Sequence, residues 1–179
     1  HRIIMDAPPD KENCRPFVQV AGLLQAAGLR VPEILAWDEP QGFMLLSDLG
    51  AQTMIEVVDR DRPQANLGLY QQAAGILIDW QRASRPGVLP AYDEALLQRE
   101  LGLFPEWYVQ RHRGFALDDT QQATLQTTFQ TLVAHNLSAP SVYVLRDFMP
   151  RNLIVGADNG LGVLDFQDAV YGPITYDIA

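Results

Sequence analysis

Three oxygen-bearing side chains in the last third of the chain have types and spacing that suit metal-ion chemistry. Asp147 and Asn152 lie close together in the sequence, and Asp165 follows one short segment later. Two carboxylates and a carboxamide are hard ligands of the kind that Mg²⁺ prefers, and Mg²⁺ usually takes further ligands from substrate phosphates. Such a set suits phosphoryl transfer, in which metal ions bridge the phosphates and a carboxylate orients and deprotonates the attacking hydroxyl.

A β-hairpin is predicted to bring these side chains together. The apolar runs 153–155 and 161–164 flank the segment 156–160, whose Gly, Asp and Asn residues favour a tight turn. A turn centred near Asp158 and Asn159 pairs residues whose numbers sum to about 317, so that Asn152 lies opposite Asp165 within about two residues. Taken singly, Asp and Asn are more often turn formers or helix caps, so the prediction depends on their convergence.

The elements that must position this hairpin indicate an α+β fold. The first 50 residues are predicted as β-α-β-β: a strand at 2–5, a helix from Pro16 to Ala27, and a hairpin of 34–37 with 43–47. The rest is predicted to be mainly helical, with one hairpin after a short strand at 142–145. Three apolar stripes predict the helices: Leu67, Tyr70, Ala74, Leu77 and Ile78; Leu96, Leu97, Leu101 and Phe104, interrupted by Pro105; and Leu125, Phe129, Leu132 and Val133.

Composition and charge narrow the range of possible functions. The 179 residues are 47% apolar and 20% charged, as in one ordinary globular domain. With 13 basic and 22 acidic residues and a net charge of −9, the chain is a poor candidate for binding nucleic acid or an anionic membrane. It shows neither a membrane-spanning stretch nor an export signal. The one cysteine, Cys14, excludes an internal disulfide and a cysteine-based zinc site and favours a reducing, cytoplasmic setting. Both ends are expected to lie inside a larger domain, because Asp177 is predicted as the N-cap of a helix that is cut off.

Two segments resemble signatures of the protein-kinase-like fold. The segment 145–152, LRDFMPRN, resembles H-x-D-x₄-N, and the segment 163–166, VLDF, resembles the region of D-F-G. Within that fold the chain is similar to the aminoglycoside phosphotransferase and choline kinase branch. The runs 164–173 and 176–179, with the opening Met5 to Pro9, resemble the bacterial anomeric kinases of N-acetylmuramate and N-acetylglucosamine in cell-wall recycling. The resemblance covers nearly the whole chain.

The resemblance implies a two-lobed enzyme and assigns the site residues. It implies a partial N-lobe at 1–50 and a C-lobe at 51–179 that is truncated at its C-terminal end. It implies that Asp147 is the base and that Asn152 and Asp165 are Mg²⁺ ligands. It implies a hinge between the lobes at 43–50, whose backbone at Leu46, Ser47 and Asp48 binds the adenine of ATP. Asp177 is implied to anchor the catalytic loop.

The chain also departs from the signatures. Leu145 occupies the usual position of His, and Gln167 that of Gly. The glycine-rich phosphate loop is absent from these residues, and the first strand carries no lysine. Either Arg2 or a residue outside this chain then covers the phosphates, or the fragment binds ATP poorly.

A sugar site needs an aromatic platform and a few hydrogen-bonding groups. The segment from Glu100 to Arg111 offers the rings of Trp107 and Tyr108 and the carboxylate of Glu100 as candidates for direct contact with the sugar. Arg151, beside Asn152, is suited to a phosphate or to the lactyl carboxylate of a muramate. The alternatives are that Arg151 is a surface or loop-bracing residue and that the aromatic residues belong to the core, which is the favoured interpretation for Phe104.

Three functions remain open on the sequence. The leading hypothesis is a kinase that depends on ATP and Mg²⁺ and phosphorylates the anomeric hydroxyl of a small amino sugar. The oligomeric state of the protein is left open. The second is an aminoglycoside phosphotransferase, which the acidic net charge suits because those antibiotics are cationic. The third is a catalytically silent kinase-like binding module, favoured by Leu145 and by the missing phosphate loop and strand lysine.

Overall fold

The computed structural model describes residues 1–178 as a mixture of helices and short strands. The strands are Arg2–Asp6 (β1), Ile34–Asp38 (β2), Phe43–Ser47 (β3), Gln52–Thr53 (β4), Ser141–Val144 (β5), Leu153–Val155 (β6), Leu161–Val163 (β7) and Val170–Pro173 (β8). The α-helices are Arg15–Ala26 (α1), Met54–Val57 (α2), Leu67–Arg82 (α3), Glu94–Leu103 (α4) and Asp119–Ser138 (α5). A π-helical segment, Phe104–His112, continues α4, and 3₁₀ turns occur at Pro63–Asn66, Pro150–Asn152 and Tyr176–Ile178.

The first 50 residues confirm the predicted β-α-β-β order. Antiparallel pairing gives a sheet of order β1-β3-β2, in which Ile3 lies opposite Leu46 and Trp37 opposite Met44. Helix α1 ends at Ala26, one residue before the predicted end, and Gly28 follows it at φ +77°, a left-handed conformation that suits glycine.

Two small sheets carry the second half of the fold. Strands β4, β6 and β7 form one antiparallel sheet, and β5 pairs with β8 in the other. The hairpin of β6 and β7 was predicted, whereas β4 and β8 were not, because both are short strands that only tertiary pairing stabilises. Among residues 1–178, no helix has both the length and the apolar character needed to cross a bilayer.

One apolar core joins the first sheet's helix to the hairpin. Val20 and Leu24 of α1 belong to the same buried cluster as Trp80 of α3 and Phe166, which follows β7. The ring of Phe166 is fully buried and stacks on Phe17 of α1 at 4.9 Å between centroids. The segment after β7 is thereby fixed against α1, which defines where Asp165 lies.

The predicted buried face of α3 is partly wrong. Leu77 is buried, but Leu67 and Ile78 are 60% and 54% exposed, and the buried face instead runs through Ala73, Leu77 and Trp80. The helix is apolar over much of its circumference, so the sequence pattern leaves its rotation open. The burial of the large Trp80 side chain, whose ring packs at a tilt against Tyr143 with the centroids 4.7 Å apart, sets that rotation.

Two predicted helix boundaries differ in the structure. The α-helix α4 ends at Leu103, close to Pro105 as predicted, but the chain remains helical because it continues as a π-helix to His112. Asp177 is not a helix N-cap but lies inside the final 3₁₀ turn, with its carboxylate directed to β5's end. Helix α5 begins at an N-cap formed by Asp118, whose carboxylate accepts the Gln121 N–H at 2.8 Å.

Candidate active site

The hairpin brings Asn152 to Asp165. Strands β6 and β7 pair in a register whose residue numbers sum to 316, with Leu153 opposite Val163. The predicted register was thus one residue away, within its stated tolerance. The Leu164 N–H donates to the Asn152 carbonyl at 2.9 Å and extends the ladder by one step, and the Asn152 Nδ2 lies 3.3 Å from Asp165 Oδ2.

The Asn152 side chain also reaches the loop that carries Asp147. Its Nδ2 donates to the Asp147 carbonyl at 2.9 Å, so one amide group contacts both of the other predicted site residues. Asp147 and Asn152 are half-buried and Asp165 is exposed, so none of the three is turned into the protein interior. The structure therefore brings the Asn152 and Asp165 side chains together, whereas Asp147 contacts Asn152 through its backbone carbonyl.

The donor set fits Mg²⁺ chemistry. Because the Asn152 Nδ2 is committed to Asp147 and Asp165, its Oδ1 remains as an acceptor beside the Asp165 carboxylate. Within residues 1–178, no group of three or more His, Cys, Asp or Glu side chains is arranged to hold a metal ion. A site of one carboxylate and one carboxamide is nevertheless typical of Mg²⁺, which keeps waters and takes substrate phosphate oxygens. The Gln167 amide, at the departure from the D-F-G signature, donates to Asp165 Oδ1 at 2.8 Å and orients that carboxylate.

The loop before Asp147 is anchored by Asp177, as the resemblance implies. The Leu145 N–H donates to Asp177 Oδ2 at 2.7 Å, and the Arg146 N–H donates to Oδ1 at 2.9 Å. Burial raises the pKa of the Asp177 carboxyl, the Asp147 charge adds to that rise, and the two N–H donors oppose it. Leu145, which replaces the usual His, is buried in the main core cluster, so this departure contributes packing in place of a polar contact.

The predicted hinge begins where β3 ends. Leu46 and Ser47 still pair with Ile3 and Arg2 of β1, and the Ser47 N–H donates to the Glu33 carbonyl at 2.9 Å. Asp48 is the first of the three predicted adenine-contacting residues beyond the strand, and its side chain accepts the Gly50 N–H at 3.0 Å. The backbone near Asp48 is therefore less committed to the sheet than that of Leu46 and Ser47.

The π-helical segment presents aromatic side chains on the surface. Trp107 and Tyr108 are 53% and 49% exposed, and Phe104 is 50% exposed, so the core interpretation favoured for Phe104 is wrong. The Arg111 guanidinium lies 4.0 Å above the Trp107 ring, and the Tyr108 ring stacks on Phe104 at 5.6 Å. π-Helical turns occur frequently at functional sites. Within residues 1–178, no hydrogen bond or ring contact joins Trp107 or Tyr108 to the three residues at the hairpin.

Glu100 and Arg151 lie in contrasting environments. Arg151 is exposed in the 3₁₀ turn that ends at Asn152. Glu100 is only 22% exposed in its side chain, and its two oxygens accept hydrogen bonds from the Arg146 guanidinium and the Tyr92 hydroxyl. Sequence reasoning missed Arg146 and Tyr92, since no local pattern signals a pairing between residues so far apart in the chain.

Comparison with known proteins identifies the family. The model of the APH phosphotransferase enzyme family matches residues 1–179, and the chain belongs to this family. A protein of Pseudomonas aeruginosa named N-acetylmuramate/N-acetylglucosamine kinase is 52% identical over 176 residues, which cover 98% of this chain and 51% of that protein. A protein of the same name from Neisseria meningitidis is 43% identical over 177 residues, 98% of this chain and 52% of that protein. The chain thus spans about half the length of the curated relatives it matches.

Solved structures confirm the predicted protein-kinase-like α+β fold. The aminoglycoside phosphotransferase APH(3'')-Id from Streptomyces rimosus, in complex with ADP and streptomycin, superposes with a TM-score of 0.67 at 13% identity. That superposition covers 99% of this chain and 68% of the other. An ethanolamine kinase of Plasmodium vivax has the same TM-score and identity, with 99% of this chain and 52% of the other covered. At these identities the likeness establishes the fold alone.

Proposed function

We propose that the whole protein is a kinase that transfers the γ-phosphoryl group of ATP, with Mg²⁺, to the anomeric hydroxyl of N-acetylmuramate or N-acetylglucosamine. The observation that carries the proposal is the Asn152 amide, which holds the Asp147 loop and the Asp165 carboxylate together at 2.9 and 3.3 Å. The names of the relatives support the substrate class. A role in cell-wall recycling, and a cytoplasmic setting in which Cys14 stays reduced, belong to the same proposal.

Each site residue has a distinct role in this proposal. Asp147 accepts the proton of the attacking sugar hydroxyl. Asn152 Oδ1 and the Asp165 carboxylate hold the magnesium ion, which when bound supplies charge neutralisation on the phosphates. Asp177 and Asn152 hold the Asp147 loop from opposite sides, through the Arg146 N–H and the Asp147 carbonyl. Because the transition state of phosphoryl transfer is loose, this positioning and the electrostatics supply most of the rate enhancement.

The adenine is proposed to bind the hinge that follows β3. Leu46, Ser47 and Asp48 are the candidate residues, and the strand pairing of the first two favours the backbone at Asp48. Ser47 has a further structural role, because its Oγ accepts the Glu33 N–H at 2.8 Å and closes the hairpin of β2 and β3.

The sugar is proposed to bind the aromatic segment and Arg151. Pyranose rings have apolar faces that pack on aromatic side chains, and Trp107 and Tyr108 are half-exposed on the π-helical segment. The Arg111 cation covers the Trp107 ring and also pairs with Glu106 at 3.0 Å, so it is held in place beside this surface. Arg151, exposed next to Asn152, is suited to the transferred phosphate or to the lactyl carboxylate of a muramate.

A phosphate-transfer assay of the full-length protein tests the proposal. The acceptors are N-acetylmuramate, N-acetylglucosamine and a set of aminoglycosides, with the product mapped by NMR. Phosphate at the anomeric position of an amino sugar is the expected result. Transfer to aminoglycosides instead would overturn the substrate assignment. If no acceptor is used and ATP with Mg²⁺ produces no thermal shift, the protein is a binding module.

Two variants test the residue roles. Asp147→Asn is expected to lower kcat by about 10²-fold or more while ATP binding is retained, because only the proton acceptor is lost. Asp165→Ala is expected to abolish Mg²⁺-dependent nucleotide binding in calorimetry with and without the metal. Asp79→Asn, at an exposed carboxylate of α3, is the matched control and should behave as the wild type. Turnover by Asp147→Asn at the wild-type rate would remove the proposed base.

A further inference from the structure

Arg146, the residue directly before the candidate base, is held at two points. Its backbone N–H donates to Asp177 Oδ1 at 2.9 Å, and its guanidinium pairs with the Glu100 carboxylate. Its φ of +74° lies in the left-handed region, which an L residue adopts only when its surroundings require it. The direction in which the chain enters Asp147 is therefore set by contacts with two other segments.

The partner, Glu100, is enclosed on both oxygens. Oε1 accepts from the Arg146 guanidinium and Oε2 accepts from the Tyr92 hydroxyl, and the side chains of Glu100 and Arg146 are only 22% and 23% exposed. Tyr92 itself is 3% exposed and its ring packs edge-on against Tyr176 at 5.2 Å. Among residues 1–178, Arg146 Nε is buried without a hydrogen-bond partner, so the Glu100 carboxylate is the group that holds the guanidinium. A pair of such low exposure is better fixed in geometry than a surface pair that water screens.

The ionisation states favour this arrangement. Burial opposes the charge of Arg146, but the facing carboxylates of Glu100 and Asp168, with smaller contributions from Tyr176 and Tyr92, raise its pKa. Burial and the neighbouring Glu100 raise the pKa of Tyr92, so the phenol stays neutral and its O–H donates a hydrogen bond to the carboxylate. The guanidinium of Arg146 is thus kept charged and the hydroxyl of Tyr92 is kept neutral, and both donate to Glu100.

Glu100 also lies on the helix that leads into the aromatic segment. Helix α4 ends at Leu103, and the π-helical segment with Trp107 and Tyr108 continues from it without a break. The Glu100 carboxylate therefore connects the Asp147 loop with the aromatic segment proposed to bind the sugar. We propose that Glu100 and Arg146 are positioning residues that hold the base in register with the sugar-binding segment. The inference rests on the proposed function and replaces direct sugar contact as the role of Glu100.

Kinetics of four variants of the full-length protein test this coupling. Glu100→Gln and Arg146→Gln are each expected to lower kcat by about 10- to 100-fold, as misplacement by about an ångström does. The KM for ATP should stay within about twofold, because the hydrogen bonds of the Glu100 side chain and of Arg146 go to each other, to Tyr92 and to Asp177 and not to the hinge. The double variant should be no slower than the slower single variant, and Arg146→Lys should recover part of the kcat lost in Arg146→Gln, since the positive charge is kept.

The control is a matched pair in another part of the chain. Glu39→Gln breaks the Arg15–Glu39 ion pair, whose side chains are 76% and 46% exposed, and should leave kcat and KM unchanged. Thermal melting of every variant confirms that the assay temperature lies below unfolding. Additive losses in the double variant, or a kcat of Glu100→Gln equal to that of Glu39→Gln, would overturn the proposal.

Amide exchange provides a readout that does not depend on activity. The segment 145–149 of Glu100→Gln should exchange at least about tenfold faster than in Glu39→Gln, because the loop loses the anchor that Glu100 provides through Arg146. Unchanged exchange there would contradict the positioning role even if the protein phosphorylated no sugar. A wild-type protein without kinase activity but with faster exchange in Glu100→Gln would instead contradict only the proposed function.

Discussion

Replacing Asp177 tests how the Asp147 loop is held. In the structure the two carboxylate oxygens accept the N–H groups of Leu145 and Arg146 at 2.7 and 2.9 Å. Leu145 is 1% exposed, so water has little access to its amide once the carboxylate is removed. Asp177→Ala leaves both donors without this acceptor, whereas Asp177→Asn keeps one side-chain oxygen.

The magnitude follows from the two lost hydrogen bonds. A buried donor left unsatisfied costs about 1–3 kcal/mol, so two give roughly 2–6 kcal/mol. Removing the carboxylate also relieves the penalty of a buried charge, which the raised pKa of Asp177 indicates. We therefore expect Asp177→Ala to lower the free energy of unfolding by about 2–4 kcal/mol and Asp177→Asn by about half of that. This is a large share of the 5–15 kcal/mol that is typical of domains.

Urea unfolding of the full-length protein is the assay, with Asp118→Ala as the control. Asp118 also accepts a backbone N–H through its carboxylate, but it caps α5 in an exposed position, where such a loss costs about 1 kcal/mol. Asp177→Ala is expected to destabilise the protein more than Asp177→Asn does, and also more than Asp118→Ala does. If Asp177→Ala destabilises the protein no more than Asp118→Ala, the backbone of the loop is not held by Asp177 and the reasoning fails.

Two further predictions concern backbone crowding and pH. Gly42 and Gly87 share a φ of +76°, but a Cβ at Gly42 would lie 2.2 Å from the Ala7 carbonyl oxygen, whereas none of the described atoms lies within 4 Å of one at Gly87. Gly87→Ala should therefore cost about 1–2 kcal/mol by denaturant unfolding and Gly42→Ala clearly more, and equal costs would contradict the clash. Burial raises the pKa of Asp177 above its usual 3.8, so the folded state holds this proton more tightly than the unfolded chain. The stability advantage of the wild type over Asp177→Asn should then shrink as pH rises from about 4 to about 7 in urea titrations, and an advantage that grows would mean that the N–H donors dominate.

The parts of the fold that follow from local pattern were predictable. The hairpin of β6 and β7 comes from two apolar runs and a turn in which Asn159 takes a φ of +59°, as Asn tolerates. The end of α1 at Gly28 follows from the same kind of signal. The convergence of Asn152 and Asp165 was then a matter of counting residues from the turn, and the register differed by one.

The parts that depend on tertiary contact were not predictable from pattern. The rotation of α3 depends on where the Trp80 ring fits, and the helical continuation through Pro105 depends on a π-turn. The pairing of Glu100 with Arg146 joins segments 46 residues apart. No periodicity in either segment signals that contact. The residues alone gave Asp177 as a helix N-cap, which is wrong, whereas the resemblance to a known motif gave its anchoring role, because a motif carries tertiary information.

The backbone conformations of the candidate site explain why some parts of the fold were predictable from the sequence and others were not. Within residues 1–178, three residues other than glycine have a positive φ: Arg146, Asn159 and Asp165. Asn159 sits in a turn that its own segment stabilises, whereas Arg146 is held by Asp177 and Glu100, and the Asp165 carboxylate by Asn152 and Gln167. Left-handed backbone costs an L residue about 1–2 kcal/mol, so the two site residues need contacts from other segments to stay in place. The shape of the site is therefore a property of the assembled fold, and weakening any one of these side-chain contacts should loosen the Asp147 loop or the Asp165 carboxylate before it unfolds the hairpin.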